Sequence, residues 1–226
     1  MSRDYQLIDV SHTIEHGMMT YKGIPGPTIS DHLTREDSKK HYAPGTEFYI
    51  GKIEMVANTG TYVDSPFHRY PDGSDLSGLD LYSLANLDAI VIRRRVKDRR
   101  ELDPSLLEGL EIEGKAILFH TDWDLNWRTE HYFNGQHPFV TAATAKYLAD
   151  SRPALVGIDS YNIDNTNDGT RPTHSILLEH GIPIVEHLCG LRELPDNGFK
   201  FFAVPVKVRG FGTFPVRAFA LVPSRK

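Results

Sequence analysis

The chain has 226 residues, 40% hydrophobic and 24% charged, with 30 acidic against 25 basic side chains and a formal net charge of −5. This is globular composition, enough for one α/β domain over residues 1–226, and the acidic balance excludes broad binding to nucleic acid or anionic membranes. The single cysteine, Cys189, excludes an intrachain disulfide; with no signal-peptide core at the start and no apolar run of about 18 residues, the chain is predicted to be cytoplasmic and not membrane-bound.

In chain order, Gln6–Ser11 reads as a short strand and residues 17–27 as a turn-rich loop in which Tyr21 is a candidate pocket wall. Residues 31–44 are polar and read as a solvated face or an excursion at a subunit contact. Residues 47–57 carry Phe48, Ile50, Ile53, Met55 and Val56, β-forming bulk that predicts a strand. If that extended backbone runs on, Asn58, Tyr62 and Asp64 project from one side by the period of two, and Gly60, without a Cβ, lets a ligand or an ion come close. Pro66 ends regular pairing and turns His68 back toward Asp64. An acid and an imidazole delivered together at a strand end mark a site.

The stretch Asn58-Thr-Gly60-Thr-Tyr62-Val-Asp64-Ser-Pro66-Phe-His68 resembles the signature of the metal-dependent cyclase family (kynurenine formamidase- and isatin hydrolase-like). That signature has the form H-x-G-T-H-x-D-x-P-x-H. The spacing is intact, as are Gly60, Thr61, Asp64, Pro66 and His68. Asn58 and Tyr62 stand where the family has two metal-binding histidines. The opening Asp9-Val-Ser-His12-Thr-Ile…Gly17-Met-Met-Thr-Tyr21-Lys-Gly23 is similar to the family's start, although His12 and His16 read as structural.

Further on, residues 79–84 predict a short helical segment and Leu87–Val96 a central strand. The basic run 93–100 reads as a solvated strand end, because it has no interleaved aromatics. Residues 105–110 and 115–120 predict a short helix and a buried strand. The aromatic loop after that strand makes Trp123 a candidate pocket wall, since α/β folds bind ligands beyond the carboxyl ends of their strands. Residues 141–150 predict a helix capped by Thr141, and 154–158 another buried strand. The acidic stretch 159–170, set against an EF-hand loop that starts at Asp164, has Ser175 where position twelve needs Glu, and reads as an Asx-rich connection. Thr173 is expected to cap a helix through Leu178, with Gly181 ending it and a strand over 182–185 leading to Glu186. Residues 199–222 read as two strands joined by a turn around Gly210.

The passage from His174 to Glu186 resembles the family's H-x-x-L-L-x-x-G-I-x-I-x-E, whose His and Glu bind metal with the motif Asp. The resemblance covers nearly the whole chain. It implies a compact α/β domain with a mixed β-sheet or barrel-like core flanked by helices, assembled as a homodimer or homotetramer. It also implies hydrolysis of a small amide, formamide or lactam. Asp64, His174 and Glu186 would bind one divalent ion, Zn or Mn, and His68 would be the general base, imidazole being the side chain that titrates near neutral pH. Tyr21, Asn58, Tyr62, Phe67 and Trp123 are the expected substrate-binding residues, for a small and aromatic substrate. The alternative is a non-hydrolytic member binding a small ligand in the same pocket, which Asn58 and Tyr62 favour. No G-x-S-x-G elbow occurs, which disfavours a serine nucleophile, and Cys189 reads as a core thiol.

Overall fold

The structure is a computed structural model that describes residues 4–94 and 99–224. Its elements begin with β1 (Tyr5–Asp9), β2 (Thr28–Leu33), the one-turn α1 (Arg35–Ser38), β3 (Ile50–Glu54) and β4 (Tyr62–Asp64). Next come β5 (Leu87–Arg93), β6 (Glu101–Leu102), β7 (Ala116–His120), β8 (Phe139–Val140), α2 (Ala142–Ser151) and β9 (Leu155–Ile158). The last are α3 (Pro172–Glu179), β10 (Ile184–Glu186), β11 (Phe199–Phe202), β12 (Thr213–Pro215) and β13 (Phe219–Pro223). Nine strands form one mixed sheet in the order β1-β13-β11-β5-β7-β9-β10-β4-β12, with β5, β7, β9 and β10 parallel and the flanks antiparallel. The parallel strands β7 and β9 are buried along their whole length, which is why they read as unbroken apolar runs.

Chain connectivity forces this sheet to curl. In a flat sheet, β13 and β12 would lie seven strand spacings apart, about 34 Å. Yet only four Cα steps separate Pro215 from Phe219, a reach of at most about 14 Å. The crossing is held by Val216 N–H to Thr61 O (2.9 Å) on one side and Val10 N–H to Ala218 O (3.0 Å) on the other. The result is a half-barrel. One face packs Val63, Leu118, Leu155, Val185 and Phe201 together, while the other carries Ile117, Phe119, Val156 and Ile184 against Leu148 of α2 and Leu177 of α3. Thr141 caps α2 through Thr144 N–H, as expected.

Several expectations need correction. The strand expected over 47–57 is only Ile50–Glu54, is exposed throughout, and pairs with β2 in a separate ribbon. Its backbone does not run on to Asp64: Gly60 adopts φ +66°, and a Cβ there would lie 3.2 Å from Ile14 Cγ1. The first strand is Tyr5–Asp9. The strand expected to Val96 ends at Arg93, and Val96 falls outside the described residues. Of the basic run, Arg93 bonds Asp196 and Leu194 O, and Arg100 bonds Gly135 O and His137 O. The tail is not a two-strand hairpin: β11 and β13 do pair, but β12 between them crosses to β4. Among the described residues, no helix is long and apolar enough to cross a membrane.

Candidate active site

β4 sits between β10 and β12, with Tyr62 opposite Glu186, and Asp64 opposite both Ile184 and Thr213. Side chains two apart on a strand share a face, so Tyr62 and Asp64 point the same way, over the face covered by α3. The Tyr62 hydroxyl donates to Glu186 Oε2 at 2.6 Å, and Ile163 N–H donates to Glu186 Oε1 at 2.6 Å.

α3 brings His174 to this face, and its first turn is not capped by Thr173. Arg171 (φ +48°) and Pro172 turn the chain in, Thr173 donates its hydroxyl to Val140 O, and the buried carboxylate of Asp164 does the capping. Asp164 accepts Thr173 N–H (2.7 Å), His174 N–H (3.0 Å) and His174 Nδ1–H (2.7 Å). With Nδ1 committed to Asp164, His174 turns Nε2 to Asp64 Oδ2 at 3.7 Å and Glu186 Oε1 at 3.5 Å.

His68 ends a single 3-10 turn, Pro66–His68, which packs onto Gly212: a Cβ at that glycine would lie 2.5 Å from the His68 backbone nitrogen. The Thr213 hydroxyl lies between Asp64 Oδ1 and His68 Nδ1, 2.8 Å from the latter. An ionised carboxylate only accepts, so the one hydroxyl proton goes to Asp64 and the Thr213 oxygen accepts Nδ1–H. That tautomer leaves the Nε2 lone pair of His68 free. The His68 side chain is 36% exposed, against 1% for Asp64 and Glu186 and 8% for His174. His68 is therefore the member that meets solvent.

Burial works against the Asp64 charge, yet His68, His174 and the Thr213 hydroxyl hold its carboxyl below the usual aspartate range. Burial, beside the Asp64 charge, lifts Glu186 to about 7 despite His174. Burial alone would lower His174, but the Glu186, Asp164 and Asp64 carboxylates raise it to about 10. Burial and the carboxylates of Glu186 and Asp64 keep the Tyr62 phenol protonated, well above the usual tyrosine range. Three buried carboxylates around one imidazole make a place that favours positive charge.

Among the described residues, Asp64, His68 and His174 form the group whose candidate ligand atoms all lie within 4.8 Å of one another. Asp64 Oδ2 is buried and receives no hydrogen bond. An anionic oxygen that accepts no hydrogen bond, 3.7 Å from the second nitrogen of an oriented imidazole, suits a divalent cation that would take the place of the proton held there. Glu186 adjoins the same centre, and each carboxylate oxygen has a second lone pair beyond the bond it accepts.

The remaining expected residues are dispersed. Asn58, half-buried, reaches the Tyr62 hydroxyl with its side chain. Tyr21 is half-buried and edge-on to Tyr161 at 5.8 Å, and burial, with the Glu186 charge, lifts its phenol to about 12. Phe67 is half-buried in the turn before His68. Trp123 belongs to the aromatic cluster that Tyr21 packs against; it is 2% exposed and its indole N–H donates to Tyr132 O at 3.0 Å, so it is a packing anchor with no face left for a pocket. A cleft of about 870 Å³ between residues 15–22 and 127–134 is lined by none of Asp64, His68, His174 or Glu186. Burial lifts the Cys189 thiol to about 12. Asp164, Gly212 and Thr213 were missed. Asp164 acts across nine residues of irregular loop, and Thr213 reaches Asp64 only through the curl of the sheet.

The Cyclase family model matches residues 8–165. Kynurenine formamidase of Bacillus cytotoxicus is 27% identical over 225 residues, covering 93% of this chain and 95% of that protein. Kynurenine formamidase of Bacillus cereus is 26% identical over 220 residues, with the same coverage. Isatin hydrolase A from Labrenzia aggregata superposes with a TM-score of 0.83 over 98% of this chain and 95% of its own; at 20% identity this likeness concerns the fold. A structure described as a potential metal-dependent hydrolase with cyclase activity gives a TM-score of 0.79 at 25% identity, covering 98% of this chain and all of that one.

Proposed function

Since the chain belongs to the cyclase family, we propose that it is a hydrolase that uses one divalent ion, Zn or Mn, to cleave the C–N bond of a small amide, formamide or lactam, aromatic in character. The observation that carries this reading is the buried, donor-free Asp64 Oδ2 beside the oriented Nε2 of His174. Asp64 and His174 would hold the ion together with Glu186. Bound there, it would supply polarisation of the substrate carbonyl and a lowered pKa for water. His68 takes the proton of the attacking water at Nε2, its Nδ1–H fixed on Thr213, which is in turn anchored on Asp64. Asp164 keeps the His174 tautomer and ring in place. Tyr62, protonated, holds the Glu186 carboxylate still.

A second reading, a ligand-binding protein without hydrolysis, draws on Tyr62: its hydroxyl already occupies one Glu186 oxygen. The experiment is metal analysis of protein purified without chelator, with turnover of N-formylkynurenine and isatin, for wild type and His68→Ala. Near-stoichiometric zinc or manganese in both proteins, with turnover falling about 10²–10⁴-fold in the variant, is expected of a general base. Loss of metal in His68→Ala would make His68 a ligand. Wild type with neither metal nor turnover would leave the ligand-binding reading standing.

A further inference from the structure

The cleft of about 870 Å³ and the candidate centre lie on two sides of one loop. Residues 17–27 form a closed excursion. At its base Gly17 N–H donates to Pro27 O at 2.8 Å, and Gly26 is seated so tightly that a Cβ would lie 2.5 Å from Met18 O. The buried Thr20 pins the tip: its hydroxyl donates to Asn58 O at 2.6 Å and accepts Gly60 N–H at 3.1 Å. Compact loops closed in this way are packed by their own side chains and frequently carry function. On one side Met18, Met19 and Lys22 wall the cleft, together with Trp127 and Phe133. On the other, the Tyr21 hydroxyl bonds the Asn162 side chain and lies close enough to Glu186 to feel its charge.

A layer of rings separates the two spaces. Tyr21 meets Phe133 edge-on at 6.2 Å and Tyr161 at 5.8 Å, and Phe133 lies 5.3 Å from Tyr161. Rings at these separations and tilts attract one another, so the three hold each other in place. Phe133 belongs to the cleft lining, and Tyr161 is buried. Tyr21 is therefore the ring that stands between the Phe133 wall of the cleft and Glu186. The centre is closed on this side, because the Glu186 and His174 side chains are 1% and 8% exposed. It is open at His68, which reaches Asp64 through the Thr213 hydroxyl.

Resting on the hydrolase reading above, we propose that Tyr21 sets the length of the substrate. The amide enters past His68 and ends against the Tyr21 ring, which keeps it out of the cleft and limits it to a compact, single-ring amide, formamide or lactam. Shortening Tyr21 joins the cleft to the centre, and a second ring then finds an apolar seat among Met18, Trp127 and Phe133.

Steady-state kinetics with formanilide and its two-ring analogue N-(biphenyl-4-yl)formamide test this, on enzyme supplied with zinc or manganese. The readout is kcat/KM for the two-ring amide divided by that for formanilide, a ratio that a loss of folded or metal-loaded enzyme does not move. Wild type should favour formanilide by at least about tenfold, and Tyr21→Ala should raise the ratio by at least about tenfold, mainly through KM. Tyr21→Phe, which keeps the ring, should keep the wild-type ratio. Adding Met18→Trp to Tyr21→Ala fills the cleft and should return the ratio toward wild type. The proposal is overturned by a wild type that takes both amides equally or by a Tyr21→Ala enzyme with the wild-type ratio. It is also overturned if Tyr21→Phe, or the double variant, matches Tyr21→Ala. Should Tyr21→Ala misfold, Phe133→Ala, which thins the same partition from the cleft side, must raise the ratio instead. If wild type holds no metal and turns over neither amide, the hydrolase reading fails. The ratio of the two amides' dissociation constants, measured by calorimetry in the same variants, then decides the role of Tyr21 by the same rule.

Discussion

Asp164 gives the sharpest test of how the site is held. It is buried and accepts three N–H bonds, two of them from the first turn of α3 and one from the imidazole it orients. Replacing it with Ala strands two backbone donors and the imidazole Nδ1–H, and removes the nearest of the three carboxylates around His174. Breaking a buried charged pair by deleting one partner costs about 3–5 kcal/mol. For a domain of this size, 1 kcal/mol shifts Tm by about 2–4 °C, so a loss of roughly 10 °C is expected in metal-free protein. Losing the group that fixes a metal-binding imidazole weakens metal affinity about 10–100-fold. Asp164→Asn keeps one acceptor oxygen and should fall between the two. Thermal unfolding of chelator-treated protein and zinc titration by calorimetry separate the effects. An Asp164→Ala protein that melts within about 2 °C of wild type, where about 6 °C is the least expected, and binds zinc equally well would refute the reasoning.

Three further outcomes are expected. Gly212→Ala pushes a Cβ into the His68 backbone and should cost about 1–3 kcal/mol, with turnover falling more than substrate affinity; wild-type kinetics would show that the turn is not seated on this glycine. Tyr62→Phe leaves Glu186 Oε2 without its donor, a loss of about 1–3 kcal/mol visible as a lower urea midpoint. His137 is fully buried and held near 4 by burial, from an ordinary value of 6.5, despite the Asp164 carbonyl it bonds. Because its folded pKa lies below the unfolded one, its contribution is complete above pH 6.5 and is lost as pH falls toward 4, about 2 kcal/mol at pH 5. His137→Asn should flatten that part of the stability profile, and an unchanged slope would rule the group out as the cause.

How much of this was legible in the sequence depends on the range of each interaction. The buried strands β7 and β9 and the helix α2 with its Thr141 cap announce themselves, because burial and capping are written in neighbouring residues. Asp64 and His68 meet because a single turn joins them, and spacing carries that. Asn58, Tyr62 and Asp64 were read as one extended strand. In fact Gly60 turns between the exposed ribbon and β4, and only Tyr62 and Asp64 share a strand. The side-chain pattern on either side of Gly60 is equally β-forming, so nothing in it reveals a change of sheet. Thr213 and Gly212 are invisible for a different reason. They reach Asp64 and His68 across about 145 residues because β12 closes the curl next to β4, and closure is a property of strand order.

On the proposed reading, Tyr62 bears on how many ions the site would hold. An imidazole at this position would offer a lone pair, whereas a phenol kept protonated offers only a hydrogen, and Glu186 takes it. Asn58, beside that phenol, adds an amide, a weak ligand for zinc or manganese. The anionic charge to be compensated is that of Asp64, Asp164 and Glu186, with Asp164 already engaged by α3 and His174. One divalent ion balances Asp64 and Glu186. A second would bring two further positive charges to a place whose remaining donors are a neutral phenol and an amide, neither of which can offset them. The two departures from the family signature therefore act together: the Tyr62 hydroxyl holds the Glu186 carboxylate, Asn58 reaches that phenol, and neither adds a ligand to the single ion proposed beside Asp64 and His174.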